Sequence, residues 1–269
     1  MIKWDGHTHT KFCRHGNPDE LERYLDRALE LGFARYTVSE HSPLPEGWVQ
    51  DPQLMKELAM DLDELPEYMA YARECKQRME GRIELAVGLE LDYLAGQERF
   101  SEAVVDMAGA DLEEVIVSVH FLPGVGGMRC VDFTADDFRA GLLGYYGTME
   151  RVVNEYFDHV EQAVEWAGTL PGRLRKRIGH LNLIRKFQQA LPPIPSGLVE
   201  ERLRRLLPKL AVNGLGVDVN TAGMRVATCG EPYVPEWFIR ECRVRGIACV
   251  YGSDAHKPEQ LGTGWDWFE

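Results

Sequence analysis

Residues 17–41 read NPDELERYLDRALELGFARYTVSEH, a helical pattern that runs directly into a strand pattern ending on a histidine. Asn17, then Pro18, then Glu20 three residues after the asparagine, has the form of a helix N-cap, and apolar residues at 21, 24, 25 and 28 repeat with the helical period. Gly32 stops the helix. The aromatic and β-branched run FARYTVSEH (33–41) then reads as a strand closing on His41. Upstream lies MIKWDGHTHTKFCRHG, a short apolar start followed at once by His7, His9 and His15. The order is strand, helix, strand.

The alternation continues downstream. A polar helical stretch covers about 51–80, followed by the strand IELAVGLELDY (83–93), a helix at about 97–109 and the strand EEVIVSVHF (113–121). The glycine-rich GVGGM (124–128) reads as a loop. Helices fill about 134–169, then come the strand-like KRIGHLNLI (176–184), a helix at 198–212, LGVDVNTAG (215–223), a helix at 235–245 and IACVYGSDAH (247–256). Seven strands alternating with helices imply parallel strands joined by right-handed crossovers. The polar residues choose between open sheet and barrel, because each strand ends in one: His7 and His9, His41, Glu90, His120, His180, Asn220, then Asp254 and His256. An open sheet gathers its ligands at a switch point, whereas a closed barrel brings every strand end to one mouth. The expected fold is α/β, a distorted (β/α)7 barrel: TIM-like, with seven parallel strands, one domain over residues 1–269, and a metal site at the C-terminal mouth.

Composition narrows the partners. With 45% hydrophobic and 27% charged residues the chain resembles an ordinary globular protein, and no apolar run approaches the roughly 20 residues of a membrane span. The opening MIKWDGH has no apolar signal region, so a cytoplasmic location is expected. Cysteines 13, 75, 130, 229, 242 and 249 form no C-x-x-C pair, which argues against a zinc ribbon or disulfide framework; they read as buried thiols, Cys13 included. A net charge of −13 repels phosphodiester backbones and anionic lipid, and RLRKR (173–177) is the longest basic run. Neither nucleic acid nor membrane is an expected partner.

His7 and His9 are two residues apart at a strand end, as are Asp254 and His256, so each pair faces one side. Seven of the eight histidines sit at or just past strand ends, with Glu90 and Asp254. The eighth, His159, lies within the helical run VVNEYFDHVEQAVEW (152–166), on the flank of its apolar face, and is assigned no chemistry. Imidazole mixed with carboxylate suits zinc, iron or manganese. Nine donors (His7, His9, His15, His41, Glu90, His120, His180, Asp254 and His256) exceed the about four to six that one ion takes, so two or three divalent transition-metal ions (Zn, Fe or Mn) are expected, with Glu90 as bridge. Paired ions generate hydroxide near neutral pH, which makes hydrolysis the expected reaction.

DGHTHT (5–10), SEHSPLP (39–45), GLELDY (88–93), SVHFLPG (118–124), GHLNLIRKF (179–187) and GSDAHKPEQLG (252–262) together resemble the PHP (polymerase and histidinol phosphatase) family, nearly end to end. FCRHG, SPLP and GHLNLIRKF are similar to its stand-alone histidinol-phosphatase type. The resemblance implies a trinuclear site: His7, His9, Glu90 and Asp254 around one metal, Glu90, His120 and His180 around a second, and His15, His41 and His256 around a third. It also implies a metal-dependent phosphomonoesterase of histidine biosynthesis. That enzyme would hydrolyse L-histidinol phosphate to L-histidinol and phosphate through a metal-bridging hydroxide.

Asp254, His256 and Arg185 are the expected catalytic residues. Arg185 or Lys186 would clamp the phosphate, with Arg14, Phe121 and Asn220 as further substrate contacts; Arg129, Arg225 and Trp265 are weaker candidates. Asp5, two residues before His7, either orients an imidazole or is a structural acid below the site. Which of Asp218 and Asn220 faces inward is open. A homodimer is compatible with this reading. The alternatives are a PHP phosphoesterase acting on nucleotides or oligonucleotide ends, and a non-catalytic metal-binding PHP domain.

Overall fold

The alternation of helical and extended periodicity is realised in space as a nearly closed ring of parallel strands. A computed structural model describes residues 2–269. Its strands are β1 (Trp4–Asp5), β2 (Arg35–His41), β3 (Glu84–Asp92), β4 (Glu114–Ser118), β5 (Phe121–Gly124), β6 (Gly127–Cys130), β7 (Arg175–Ile178), β8 (Gly216–Asn220) and β9 (Cys249–Gly252). Seven of them form one parallel sheet in the order β1-β2-β3-β4-β7-β8-β9. Between β9 and β1 the seam is bridged by backbone bonds: Gly6 N–H to the Tyr251 carbonyl (2.8 Å), Asp254 N–H to the His7 carbonyl (2.8 Å) and His9 N–H to the Ala255 carbonyl (3.0 Å). This seam carries His7, His9 and Asp254 past the formal strand ends and places them side by side. Gly252 is required there, because a Cβ on it would lie 2.2 Å from Asp218 Oδ1 and 2.8 Å from His7 Cβ.

The first crossover helix, Leu21–Glu30, buries Leu21, Tyr24, Leu25 and Ala28, the stripe its periodicity predicts. It begins at Leu21 rather than at Pro18. The Glu20 carboxylate is drawn to Lys11 (3.0 Å) and to the Tyr71 hydroxyl (2.8 Å), while the Tyr71 oxygen accepts the Leu21 N–H (2.8 Å). A tertiary contact thus satisfies the helix end that Asn17 was expected to cap. The polar stretch 51–80 is two helices, Pro52–Leu58 and Leu65–Arg78, the first capped by the Asp51 carboxylate on the Gln53 and Leu54 N–H groups. GVGGM is the turn of a hairpin rather than a plain loop: β5 and β6 pair antiparallel, with Gly126 and Gly127 at φ 83° and 126°.

The longest helix, Met149–Thr169, buries an apolar face that includes Val152, Tyr156, Phe157, Val160 and Val164. Each such side chain contributes about 1.5–3 kcal/mol when fully removed from water. His159 lies on this helix, buried, donating from Nδ1 to the Glu155 carbonyl at 3.1 Å, as a structural residue does. A smaller apolar cluster of Leu44, Val49, Leu54, Leu94, Phe121 and Cys130 stands apart from the main core. Among the described residues no helix is long and apolar enough to cross a membrane.

Candidate metal centre

The strand ends deliver their polar residues to one place. Glu90, on β3 and 1% exposed, stands at its centre. Its Oε2 lies 3.3 Å from His7 Nε2, 3.7 Å from His9 Nε2 and 3.1 Å from His41 Nδ1. Its Oε1 lies 2.9 Å from His180 Nε2 and 3.6 Å from His120 Nε2, and accepts the Ser118 hydroxyl at 2.6 Å. One carboxylate therefore turns one oxygen to each of two imidazole groups. Asp254 joins the first group, its Oδ1 3.0 Å from His9 Nε2 and 3.8 Å from His7 Nε2. In the second, His120 Nε2 and His180 Nε2 face each other at 3.0 Å. The rings of the third expected trio lie near one another, His15 5.0 Å from His41 and from His256, but the ligand atoms that cluster there do not include those of His15. Ligand-type atoms of His9, Cys13, His41 and His256 lie within 4.8 Å of one another. Burial and the nearby Glu40 push the Cys13 thiol up.

Behind this shell is a layer of acceptors. Asp218 Oδ2 takes His7 Nδ1 at 2.8 Å, Glu40 Oε1 takes His9 Nδ1 at 3.2 Å, and Asp92 Oδ1 takes His120 Nδ1 at 2.7 Å. Backbone carbonyls do the same for His15 (Glu57, 2.9 Å) and His256 (Asp254, 3.0 Å). An imidazole whose Nδ1–H is donated presents the Nε2 lone pair, the form that binds a metal. His7 Nε2, His41 Nε2 and His256 Nε2 are buried without a hydrogen-bond partner, a cost that a bound cation would relieve; His180 Nδ1 is also unpartnered, on the ring edge away from Glu90. The donor set thus fits transition-metal ions.

The electrostatics agree. Burial opposes ionisation of Glu90 and Asp254, yet His7 and its neighbours hold both carboxyls well below the usual range. Burial lowers imidazoles, but Asp254 and Glu40 carry His9 up to about 9, and Asp92 and Glu90 carry His120 up to about 10. These buried carboxylates draw positive charge to themselves. The third trio contrasts: burial and His41 bring His15 down to about 4, and burial and His9 push His256 well down.

Asp254 is the only non-glycine with positive φ (53°) among the described residues. Asn220 Nδ2 donates to its Oδ2 at 3.1 Å, and the Arg225 guanidinium holds the Ser253 and Asp254 carbonyls at 2.8 and 3.0 Å. Asn220 thus braces a candidate ligand rather than standing free for substrate, and both Asp218 and Asn220 face inward. Asp5 proves to be the structural acid below the site: its Oδ1 accepts the Ser253 (3.0 Å) and His7 (3.4 Å) backbone N–H groups, and burial raises it to about 7.

Beside the histidines opens a cavity of about 260 Å³ whose wall includes His15, His41, His120, Phe121, Asp132 and Lys186. Phe121 lies where the sequence places it. Arg185 does not: its NH2 pairs with Glu231 Oε1 at 2.7 Å and its Nε with Gln188 Oε1 at 2.7 Å, in a separate crevice with Ile194 and Trp237. The short 3-10 turn Leu183–Arg185 rotates successive side chains apart, so that Lys186 alone of the two reaches the mouth. Arg14 is turned away to Asp61 and Glu64, Arg129 to Asp137, and Trp265 packs on Phe33 and Tyr251 in the main core.

Sequence reasoning missed Glu40, Asp92 and Asp132. Asp92 was within reach, since it follows Glu90 by two residues on a strand, the rule that paired His7 with His9. Glu40 and Asp132 carry no such signal.

The PHP domain signature matches residues 5–222, and a PHP-associated segment matches 239–269. The chain is 33% identical over 268 residues to histidinol-phosphatase of Bacillus subtilis (strain 168), covering 100% of this chain and 98% of that protein. The crystal structure of the protein called hisK from Listeria monocytogenes superposes with TM-score 0.92 at 33% identity, over 99% of this chain and 100% of that one. A histidinol phosphate phosphatase from Lactococcus lactis, crystallised with zinc, L-histidinol and phosphate, shares the fold at TM-score 0.72 and 18% identity, over 96% of this chain and 87% of that one. The chain belongs to the PHP domain family, among relatives that include histidinol-phosphatase.

Proposed function

We propose that this chain is a metal-dependent phosphomonoesterase that hydrolyses L-histidinol phosphate to L-histidinol and phosphate. The observation that carries the reading is Glu90, one oxygen toward His7, His9 and His41 and the other toward His120 and His180, the disposition of a carboxylate shared by two ions. The name of the Bacillus subtilis relative, similar over its whole length, supports the substrate. On this reading His7, His9, Glu90 and Asp254 hold one ion; Glu90, His120 and His180 a second; His15, His41 and His256 a third. The ions are zinc, iron or manganese, and when bound they supply Lewis acidity and lower the pKa of water toward neutrality.

The chain's own groups do the rest. Asp218, Glu40 and Asp92 hold three imidazoles by Nδ1 and so fix the direction of Nε2. Arg225 and Asn220 hold Asp254 in its left-handed backbone conformation. Lys186, the one lysine or arginine lining the cavity among the described residues, meets the phosphate. Phe121, Leu44, Leu54 and Leu58 line the same cavity and supply its apolar surface. Six free cysteines fit a reducing compartment such as the cytoplasm.

Phosphate release from L-histidinol phosphate tests the reading, measured beside phenyl phosphate after reconstitution with each of the three metals. Preference for the histidinol ester is the expected result. Equal turnover of both esters would remove the substrate and leave the chemistry, and a metal-replete protein inert to both would remove the chemistry too.

A further inference from the structure

The cavity beside the histidines holds a pair of opposite charges that the metal centre does not use. Lys186 Nζ lies 2.9 Å from Asp132 Oδ2, and the Cys130 thiol donates to Asp132 Oδ1 at 3.0 Å. Both charged side chains are mostly buried, at 26% and 21% exposure, and both line the cavity. They come from different elements, Asp132 from just past β6 and Lys186 from the segment after β7. For stability alone such a pair is a poor choice, since desolvating two ions costs about as much as their attraction returns, and apolar residues would serve as well. Part of the wall shows that alternative in use, with Leu44, Leu54, Leu58 and Phe121 facing the same space.

The substrate of the proposed function carries the complementary pair. L-Histidinol phosphate is the phosphate of a 1,2-amino alcohol, with its anionic phosphate and its ammonium on neighbouring carbons. We propose that Asp132 is a specificity-determining residue that takes the substrate ammonium while Lys186 takes the phosphate, so that the internal ion pair is exchanged for two pairs to the ligand. The inference rests on the phosphatase reading and deepens it: the preferred class is phosphate monoesters with an amine next to the ester carbon. Neither buried ion is left unpaired on binding, because each trades one partner for another. An ester without the amine leaves Asp132 facing a methylene group once Lys186 has turned to the phosphate, and that uncompensated carboxylate is the source of discrimination.

The test compares L-histidinol phosphate with its deamino analogue, 3-(imidazol-4-yl)propyl phosphate, on wild type, Asp132→Asn and Asp132→Ser. Metal content and circular dichroism are recorded for each variant. The wild type should prefer the amine by at least about tenfold in kcat/KM, mainly through KM, and both substitutions should shrink that ratio by about tenfold. Asp132→Glu, which keeps the charge, should restore part of it. A ratio unchanged in a folded, metal-replete variant would assign Asp132 a structural role and overturn the inference. So would a wild type that hydrolyses both esters equally, with the phosphatase reading left intact. A wild type inert to every phosphate ester would instead bring down that reading, and the inference with it. The two substitutions differ in bulk and polarity, so a folding failure of one leaves the other to decide.

Discussion

The two ends of the barrel both bury carboxylates, and they solve the problem in opposite ways. At the N-terminal end Glu114, fully buried, is surrounded by resident cations: Arg35 NH2 (2.8 Å) and Arg175 Nε (2.6 Å) on Oε1, Arg177 NH1 (2.7 Å) and the Thr37 hydroxyl (3.1 Å) on Oε2. Arg177 continues to the Gly6 carbonyl at 2.7 Å, and Trp4 stacks under Arg35 at 3.9 Å. At the C-terminal end no lysine or arginine side chain pairs with Glu90 or Asp254 among the described residues; imidazoles, with the Ser118 hydroxyl and the Asn220 amide, surround them, and four buried ring nitrogens there have no hydrogen-bond partner. The lower cluster brings its own cations and functions as a plug. The upper one has the geometry of a site that imports them. Within one fold, whether a buried acid is met by guanidinium or by imidazole separates structure from function.

The comparison breaks first, if it breaks, at the two carboxylates. Replacing Glu90 by Gln should lower kcat/KM by about 10³-fold or more, the scale of losing a principal electrostatic group. Metal analysis should show depletion of the ions it bridges, and activity with full metal content would refute its bridging role. Replacing Glu114 by Gln should act on stability alone. It strands Arg177, 3% exposed, at a cost of about 3–5 kcal/mol in denaturant unfolding, with turnover per folded molecule unchanged.

The acid dependence of the lower cluster has a definite sign. Burial alone would raise Glu114, but Arg177, Arg175 and Arg35 hold its carboxyl below the usual range. A folded-state value below the unfolded one gives stability that is present above the unfolded carboxyl pKa of about 4.3 and is lost as pH falls through the depressed value. The stability gap between wild type and Glu114→Gln should therefore be flat at neutral pH and narrow only in acid.

A smaller effect belongs to the layer behind the metals. Asp218→Asn keeps the shape but weakens the acceptor that orients His7 Nδ1, now at 2.8 Å. Loss of about 10–100-fold in metal affinity or activity is expected, with excess metal recovering much of the activity. A variant that metal does not rescue would show that Asp218 acts on folding, as Glu114 does.

The upper end is largely legible in the sequence because its ligands obey a local rule. Residues on a strand alternate, so spacing alone puts His7 with His9 and Asp254 with His256 on one face. The same rule covers Asp92. The lower plug is not legible, since Glu114 meets Arg35 across 79 residues and Arg177 across 63, and a strand-start glutamate looks like any solvated one. The pairing of Asp132 with Lys186 across 54 residues is hidden for the same reason, although Lys186 itself is a candidate from the sequence. The hairpin escapes because its two strands are four residues each and glycine-rich at the turn, so that β propensity and loop composition compete over too short a span. The helix start at Leu21 is set by the Tyr71 hydroxyl, a partner 50 residues away that capping rules cannot see.

Arg185 and Lys186 carry the comparison down to two adjacent residues. Arg185 stands near the upper end yet is built like the lower one: its guanidinium is already matched by Glu231 and Gln188, both at 2.7 Å, and faces a different crevice. Lys186 faces the cavity, and the proposed exchange of partners frees it for the phosphate. Arg185→Gln should consequently change kcat/KM by less than about twofold, the range expected of a partly exposed pair, whereas Lys186→Met should cost about 10–100-fold. The pair discriminates because both residues keep positive charge in the same short turn, so any general electrostatic attraction of the phosphate would weaken equally in the two variants. Equal losses would mean that the field at the mouth, and not the geometry of one ammonium group, recruits the substrate, and the distinction between matched and unmatched charge would then not reach this part of the site.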